Sequence, residues 1–179
     1  MDNEQAMSFV ATVKLDGHAV DFSYVKQEAN LDLRQMEVGG YGYAEHYHEY
    51  LCVNTFSDVP VRLFFKYAGS HGYKLYVRSA GESGKHMGVT NNGYVWATDQ
   101  GSRLRHFQLI AEDKTTVITP DKLADTAKVY LLSSRNGKLL TTYSTTHVGK
   151  HWWCYLTDGG GPDALFTLEI SQRKVAADK

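Results

Sequence analysis

The sequence predicts an all-β domain in which three copies of one four-strand unit close on each other. Three observations carry this reading. The run Lys74-Leu75-Tyr76-Val77-Arg78-Ser79 leads to a turn at Gly84-Lys85, then to Thr98-Asp99 and, after seven residues, to Phe107-Gln108-Leu109. The run Lys128-Val129-Tyr130-Leu131-Leu132-Ser133 repeats it with Gly137-Lys138, Thr157-Asp158 and, after the same seven residues, Phe166-Thr167-Leu168. A fainter copy, Ser57-Asp58 and then Phe65-Lys66-Tyr67, precedes both. The interval from Phe107 to Phe166 exceeds that from Phe65 to Phe107, and the excess falls between the copies and in the Gly137–Asp158 loop, where added length costs little.

The elements follow in order. Phe9 to Leu15 and His18 to Val25 flank Asp16-Gly17, a dipeptide suited to the positive φ angles of a type I′ hairpin turn. Gln27 to Arg34 reads as a helical turn or an edge segment, Gly39-Gly40 to Gly42 as a turn, and Tyr43 to Val53 as a strand. Later strands end near Tyr67, Val77, Trp96, Ile110, Leu132, Tyr143, Leu156 and Ile170. Asn92-Gly93, Asn136-Gly137 and Gly159-Gly160-Gly161-Pro162 are turn formers between them. The one short helix expected is Pro120 to Ala127, with Pro at its start and Asp121 near its positive end. Two registers of the first copy stay open. Either Leu31-Leu33 opens it and the hairpin within residues 1–30 is an addition, or the hairpin opens it and residues 26–48 are inserted. A different barrel, or a sandwich of two similar halves, is the alternative architecture.

A chain of 179 residues is expected to form a single domain, with a frayed polar tail from Gln172 to Lys179. Twelve tyrosines and only three prolines suit pleated, half-buried surfaces. A net charge of −1 offers no basic field for nucleic acid. No stretch approaches the ~20 apolar residues of a membrane-spanning helix. The start Met1-Asp2-Asn3-Glu4 lacks the features of a signal peptide, so a cytoplasmic location, or release by another route, is expected. Cys52 and Cys154 leave a single disulfide open, though a reducing compartment disfavours it.

The unit of about 42 residues, with four short strands and a late Phe-x-Leu, resembles that of the β-trefoil family. Tyr130 to Leu140 is similar in particular to the fascin-like branch, and the resemblance covers roughly residues 60 to 171. It implies a pseudo-three-fold β fold and a binding role, lectin-like or in protein interaction. The Gln-x-Trp signature of ricin-type trefoil lectins is absent: Arg105-His106-Phe107 and Ala164-Leu165-Phe166 stand in its place, so no sugar-contacting residue carries over.

Several clusters have residues of the right chemistry for a site. His46 and His48 share one strand face, but no third metal ligand is assured, and surface histidines are the plainer reading. His147 and His151 would align only on a helix, which Gly149 opposes. No Gly-x-Ser-x-Gly elbow occurs, and Gly81-Glu82-Ser83-Gly84 reads as a turn, so neither catalysis nor a cofactor is expected. Asp58, Asp99 and Asp158 recur at one place in each copy, either capping a turn or polarising sugar hydroxyls. Trp152-Trp153 must point to opposite faces of a strand. Cys154 and Leu156 are the more apolar companions, which puts Trp152 inside and Trp153 outside.

The expectation is therefore a non-catalytic lectin-like protein. Its glycan or small sugar would be held by Trp153, His151, Lys150, Tyr155 and Asp158 in the third copy, with Tyr47 and His48 from the Tyr41–Tyr50 cluster. A protein partner or a membrane surface is the alternative target. Far-UV circular dichroism is expected to be dominated by strand; a helical fraction above the roughly one-third average of globular domains would contradict the fold class.

Overall fold

The computed structural model describes residues 2–22, 49–55, 58–79, 83–148 and 150–176. The protein is mostly strand, with one short helix and three 3-10 turns among the described residues. The helix α1 (Asn3–Met7) starts where the Asp2 carboxylate accepts the Gln5 N–H at 2.7 Å. An Asp with Gln three residues on, as at Asp2 and Gln5, is a helix-start signal that the sequence reading passed over.

Among the described residues, thirteen antiparallel strands belong to one sheet. They are β1 (Phe9–Leu15), β2 (His18–Phe22), β3 (Leu51–Asn54), β4 (Arg62–Tyr67), β5 (Tyr73–Val77), β6 (His86–Val89), β7 (Val95–Thr98), β8 (His106–Ile110), β9 (Thr126–Ser133), β10 (Lys138–Leu139), β11 (Thr141–Val148), β12 (His151–Thr157) and β13 (Phe166–Arg173). Asp16 and Gly17 join β1 to β2 with φ of 50° and 78°, both positive as a type I′ turn requires.

Six strands close into a ring. β1 pairs with β13 and β4, β4 with β5, β5 with β8, β8 with β9, and β9 with β13. Closure leaves no ring strand with an unpaired flank. Alternation along each strand then fills the interior with Phe9, Phe65, Leu75, Phe107, Leu131 and Phe166, all buried. Phe9 and Phe65 are register partners, and their rings stack at 4.6 Å. Phe65, Phe107 and Phe166, the residues that matched in the sequence, each have no exposed surface and lie on β4, β8 and β13.

Of the other seven strands, the short β10 pairs with β9, and six form three antiparallel pairs, β2–β3, β6–β7 and β11–β12. These pairs meet one another. β3 pairs with β12, and isolated bridges join Tyr50 to Trp96 and Tyr94 to Thr157. Their inward residues, among them Val20, Val53, Met87, Val95 and Leu156, continue the core of the ring. No described helix is long and apolar enough to cross a membrane.

Four expectations are settled or corrected. The Phe9–Val25 hairpin is no addition, because β1 fills the ring position between β13 and β4. The helix expected over Pro120 to Ala127 stops after one 3-10 turn, Pro120–Lys122. Leu123 is already extended there, and the Arg173 guanidinium takes the carbonyls of Pro120 and Leu123, so packing outweighs a propensity too short to nucleate. The tail is not frayed at Gln172: β13 pairs through Arg173, and the Val175 N–H reaches the Ser8 carbonyl. Cys52 and Cys154 are buried free thiols. Cys52 opposes Tyr155 and Cys154 opposes Val53, so the two sulfurs point to opposite faces of the sheet and cannot bond. The segments Gln27 to Arg34 and Gly39 to Gly42, with most of Tyr43 to Val53, lie outside the described residues.

Truncation of Phe107 or Phe166 to Ala is expected to cost about 3–5 kcal/mol in a urea titration, the range for emptying a buried Phe site. Equivalent places in the ring predict similar values, and a neutral result at either position would break the correspondence.

Candidate functional site

The β2–β3–β12–β11 layer has two faces, and Trp152 and Trp153 divide between them. Trp152 packs against the core beside Cys154 and Leu156, its ring edge-on to His18 at 4.9 Å. The opposite face was expected to be open, yet Trp153 is 2% exposed. Its register partner Asn54 is 1% exposed, and Cys52 on the same face 0%. Asp21, across from Cys52, is buried as well. That face is thus covered around Trp153, which is a core residue instead of an outward platform.

A different set of aromatics converges where the three strand pairs meet. Tyr50 stacks on Tyr94 at 5.1 Å and stands edge-on to Trp96 at 6.4 Å and to Tyr155 at 6.0 Å. Tyr94 is edge-on to Tyr155 at 5.7 Å and to Tyr143 at 6.0 Å. Offset-stacked and edge-to-face geometries match the ring quadrupoles. Tyr143, directly across from Tyr155 in the β11–β12 register, is 44% exposed and forms the open rim of the cluster. The other four rings are half-buried. The Trp96 indole N–H is buried and has no hydrogen-bond partner among the described residues.

An ion pair between a buried carboxylate and a solvent-accessible arginine borders this cluster. Asp158 is 2% exposed and accepts from Arg135 Nη1 at 2.8 Å, while Arg135 Nη2 donates to the Asn91 carbonyl at 2.7 Å. The Ser133 hydroxyl also donates to Asp158, and the Asp158 N–H reaches the Gly93 carbonyl at 2.9 Å. Gly93 has φ 90°, and a Cβ there would lie 2.9 Å from the Asp158 carboxylate, so a glycine is needed for the turn and the carboxylate to meet. One carboxylate thereby ties together the turns after β6, β9 and β12.

The sequence-predicted site residues do not form one group. Tyr155 belongs to the aromatic cluster. Asp158 adjoins it, and Arg135 and Ser133 donate to its oxygens, which pins the neighbouring turns. Asp58 and Asp99 are exposed and take no such bond among the described residues, so the recurring Asp has no shared role. The Asp that does cap a turn is Asp113. The Thr116 hydroxyl and the N–H groups of Thr116 and Thr115 hold its carboxyl down at about 2. Lys150 is exposed, and His151 is half-buried with its ring nitrogen 3.3 Å from the Thr55 hydroxyl. Both sit at the far end of β12, about 13–16 Å along the strand from Tyr155. Tyr47 and His48, like His46, Tyr41 and Tyr43, lie outside the described residues. His147 and His151 fall on neighbouring strands one register step apart, and no group of three metal-ligating side chains converges among the described residues.

Tyr94, Trp96 and Tyr143 were missed. The available signal was Tyr94-x-Trp96, two aromatics on one strand face, in a turn-bounded hairpin. Burial pushes the Cys154 thiol up, which leaves it protonated and unreactive. Comparison with protein-family models, with characterised proteins and with solved structures finds no match to this chain.

Arg135→Ala is expected to destabilise by about 3 kcal/mol, because it strands a buried carboxylate. Asp158→Asn should cost less, since Arg135 keeps access to solvent. Trp153→Ala is expected to cost about 3–5 kcal/mol. Denaturant titrations measure all three, and a larger loss for Asp158→Asn than for Arg135→Ala would refute the assignment of the buried partner.

Proposed function

We propose that this chain is a β-trefoil-like, non-catalytic binding protein that takes carbohydrate on the Tyr50, Tyr94, Trp96, Tyr143 and Tyr155 face. The closed ring of six strands with three attached strand pairs supports the trefoil reading. The observation that carries the binding reading is Tyr143, a large ring left 44% exposed on the rim of an ordered aromatic cluster. A flat apolar face held rigidly at the surface suits the C–H face of a sugar ring, and little side-chain entropy remains to be lost when it binds. The phenol hydroxyls supply hydrogen-bonding partners at its edge. The Arg135–Asp158 pair fixes the turns that frame the face; it does not itself contact the ligand.

A glycan array probed with the full chain tests this. Saturable binding of a sugar class is expected, and Tyr143→Ala should weaken it at least about tenfold, or ~1.4 kcal/mol. The same variant should leave the unfolding midpoint nearly unchanged. No binding across a broad array would transfer the face to the rival reading, a protein partner.

A further inference from the structure

We propose that the outer wall of the ring carries a second site, in which Lys74, His106 and His71 bind the tetrahedral oxyanion of a sulfate or phosphate ester. The fold sets a row of like charges side by side. Lys66 and Lys74 are direct register partners across β4 and β5, and Lys74 and His106 are partners across β5 and β8. Such pairs share a face with Cβ atoms about 4.5–5.5 Å apart, and like charges there repel. Lys66 is neutralised by Glu4 at 3.2 Å. Lys74 has no acidic partner among the described residues, although it is half-buried with its stem along the wall.

The neighbouring turn is built to bring a third base to the same place. The 3-10 turn Gly69–His71 ends at Gly72, whose φ is 89° and whose missing Cβ lets the chain lie directly against the Phe107 carbonyl. The Gln108 amide holds that turn by donating to the Ser70 carbonyl at 3.2 Å. His71 is thereby set with its ring 5.5 Å from that of His106. On the other side, the Ser134 oxygen accepts the His106 N–H at 3.0 Å, which leaves the hydroxyl proton to donate. Arg105 is turned away onto the carbonyls of Ser102 and Leu104, and Arg135 is held by Asp158. Among the described residues the groups beside the His106 ring are Lys74 and His71, with Ser134 at its backbone N–H, and none of them is a carboxylate. An ammonium, two imidazoles and a hydroxyl arriving from two strands and two turns suit an oxyanion with lone pairs in several directions better than a planar carboxylate, which favours an Arg fork. Burial, Lys74 and His71 together hold the His106 imidazole below its usual ionisation range, so a bound anion would draw a proton onto it.

The test is a titration of the full chain with sodium sulfate, at ionic strength held constant with sodium chloride, read from the imidazole resonances of His71 and His106 by NMR. Sulfate keeps its charge across the range, so any pH effect reports on the protein. Saturable shifts at both rings are expected, with the His106 ionisation moving up and binding several-fold tighter at about pH 5.5 than at about pH 7.5. Lys74→Gln should weaken sulfate binding about tenfold with the resonances of buried His86 unmoved. His71→Gln, on an exposed turn, gives the same reading if Lys74→Gln does not fold. A sulfated and a phosphorylated monosaccharide, compared at equal concentration, identify the source of the oxyanion. Shifts that follow ionic strength alone, or variants that bind sulfate as the parent does, would overturn the proposal. Tyr143→Ala should bind sulfate normally, so loss of the aromatic site and loss of this one are distinguishable.

Discussion

The pairing of β1 with β13 is the constraint on which the rest depends. Without it the six strands are an open sheet with two unpaired edges, and each edge would present a row of unsatisfied N–H and C=O groups. With it, every ring strand has a neighbour on both sides, and one face of the sheet becomes a sealed interior. The alternation of Leu63, Phe65, Leu75, Phe107, Leu109, Phe166 and Leu168 then has a defined inside, and a one-residue slip at any pairing would turn those side chains to solvent. The three strand pairs inherit their positions from this closure. Each leaves the ring from a fixed place, so Tyr50, Tyr94 and Tyr155 meet although they are remote in sequence.

Aromatic packing and ion pairing contribute differently to the two regions. Inside the ring, contacts such as Phe9 on Phe65 are nondirectional burial, and their value scales with area removed from water. Between the strand pairs, the Arg135–Asp158 bond is directional. A desolvated carboxylate stays favourable only while its donors are in place, so the pair contributes less to net stability than to fixing which turns lie together. The region that carries the exposed Tyr143 is thus held by geometry, and the ring beneath it by volume.

The legibility of the sequence follows the range of the interaction concerned. The Asp16-Gly17 turn was readable because its requirement, two positive φ angles, is local. Phe65, Phe107 and Phe166 were readable because similar ring positions impose similar residues at similar spacing. The Pro120–Ala127 segment misled, since Arg173 competes for its carbonyls from a strand far along the chain. Trp153 misled for a related reason. Alternation separates the two faces of a strand but does not say whether the second face is covered, and here Asn54 and Cys52 are buried with it. The recurrence of Asp at 58, 99 and 158 looked like one function repeated, whereas only Asp158 meets an arginine. The aromatic face itself joins β3, β7, β11 and β12, and no single segment contains enough of it to be recognised.

Closure of the ring by its first and last strands also sets an order in time. On the ribosome β1 emerges before the other ring strands, yet β13, one of its two ring partners, is the last described strand to be made. Until residues near Arg173 are free, the nascent chain holds β1 with one flank unpaired and a half-built interior open to water. The hairpins can form as they appear, but the step that seals the ring waits for β13. An arrest or cleavage shortly before that point would release a species with nearly all of its strands and two adhesive edges.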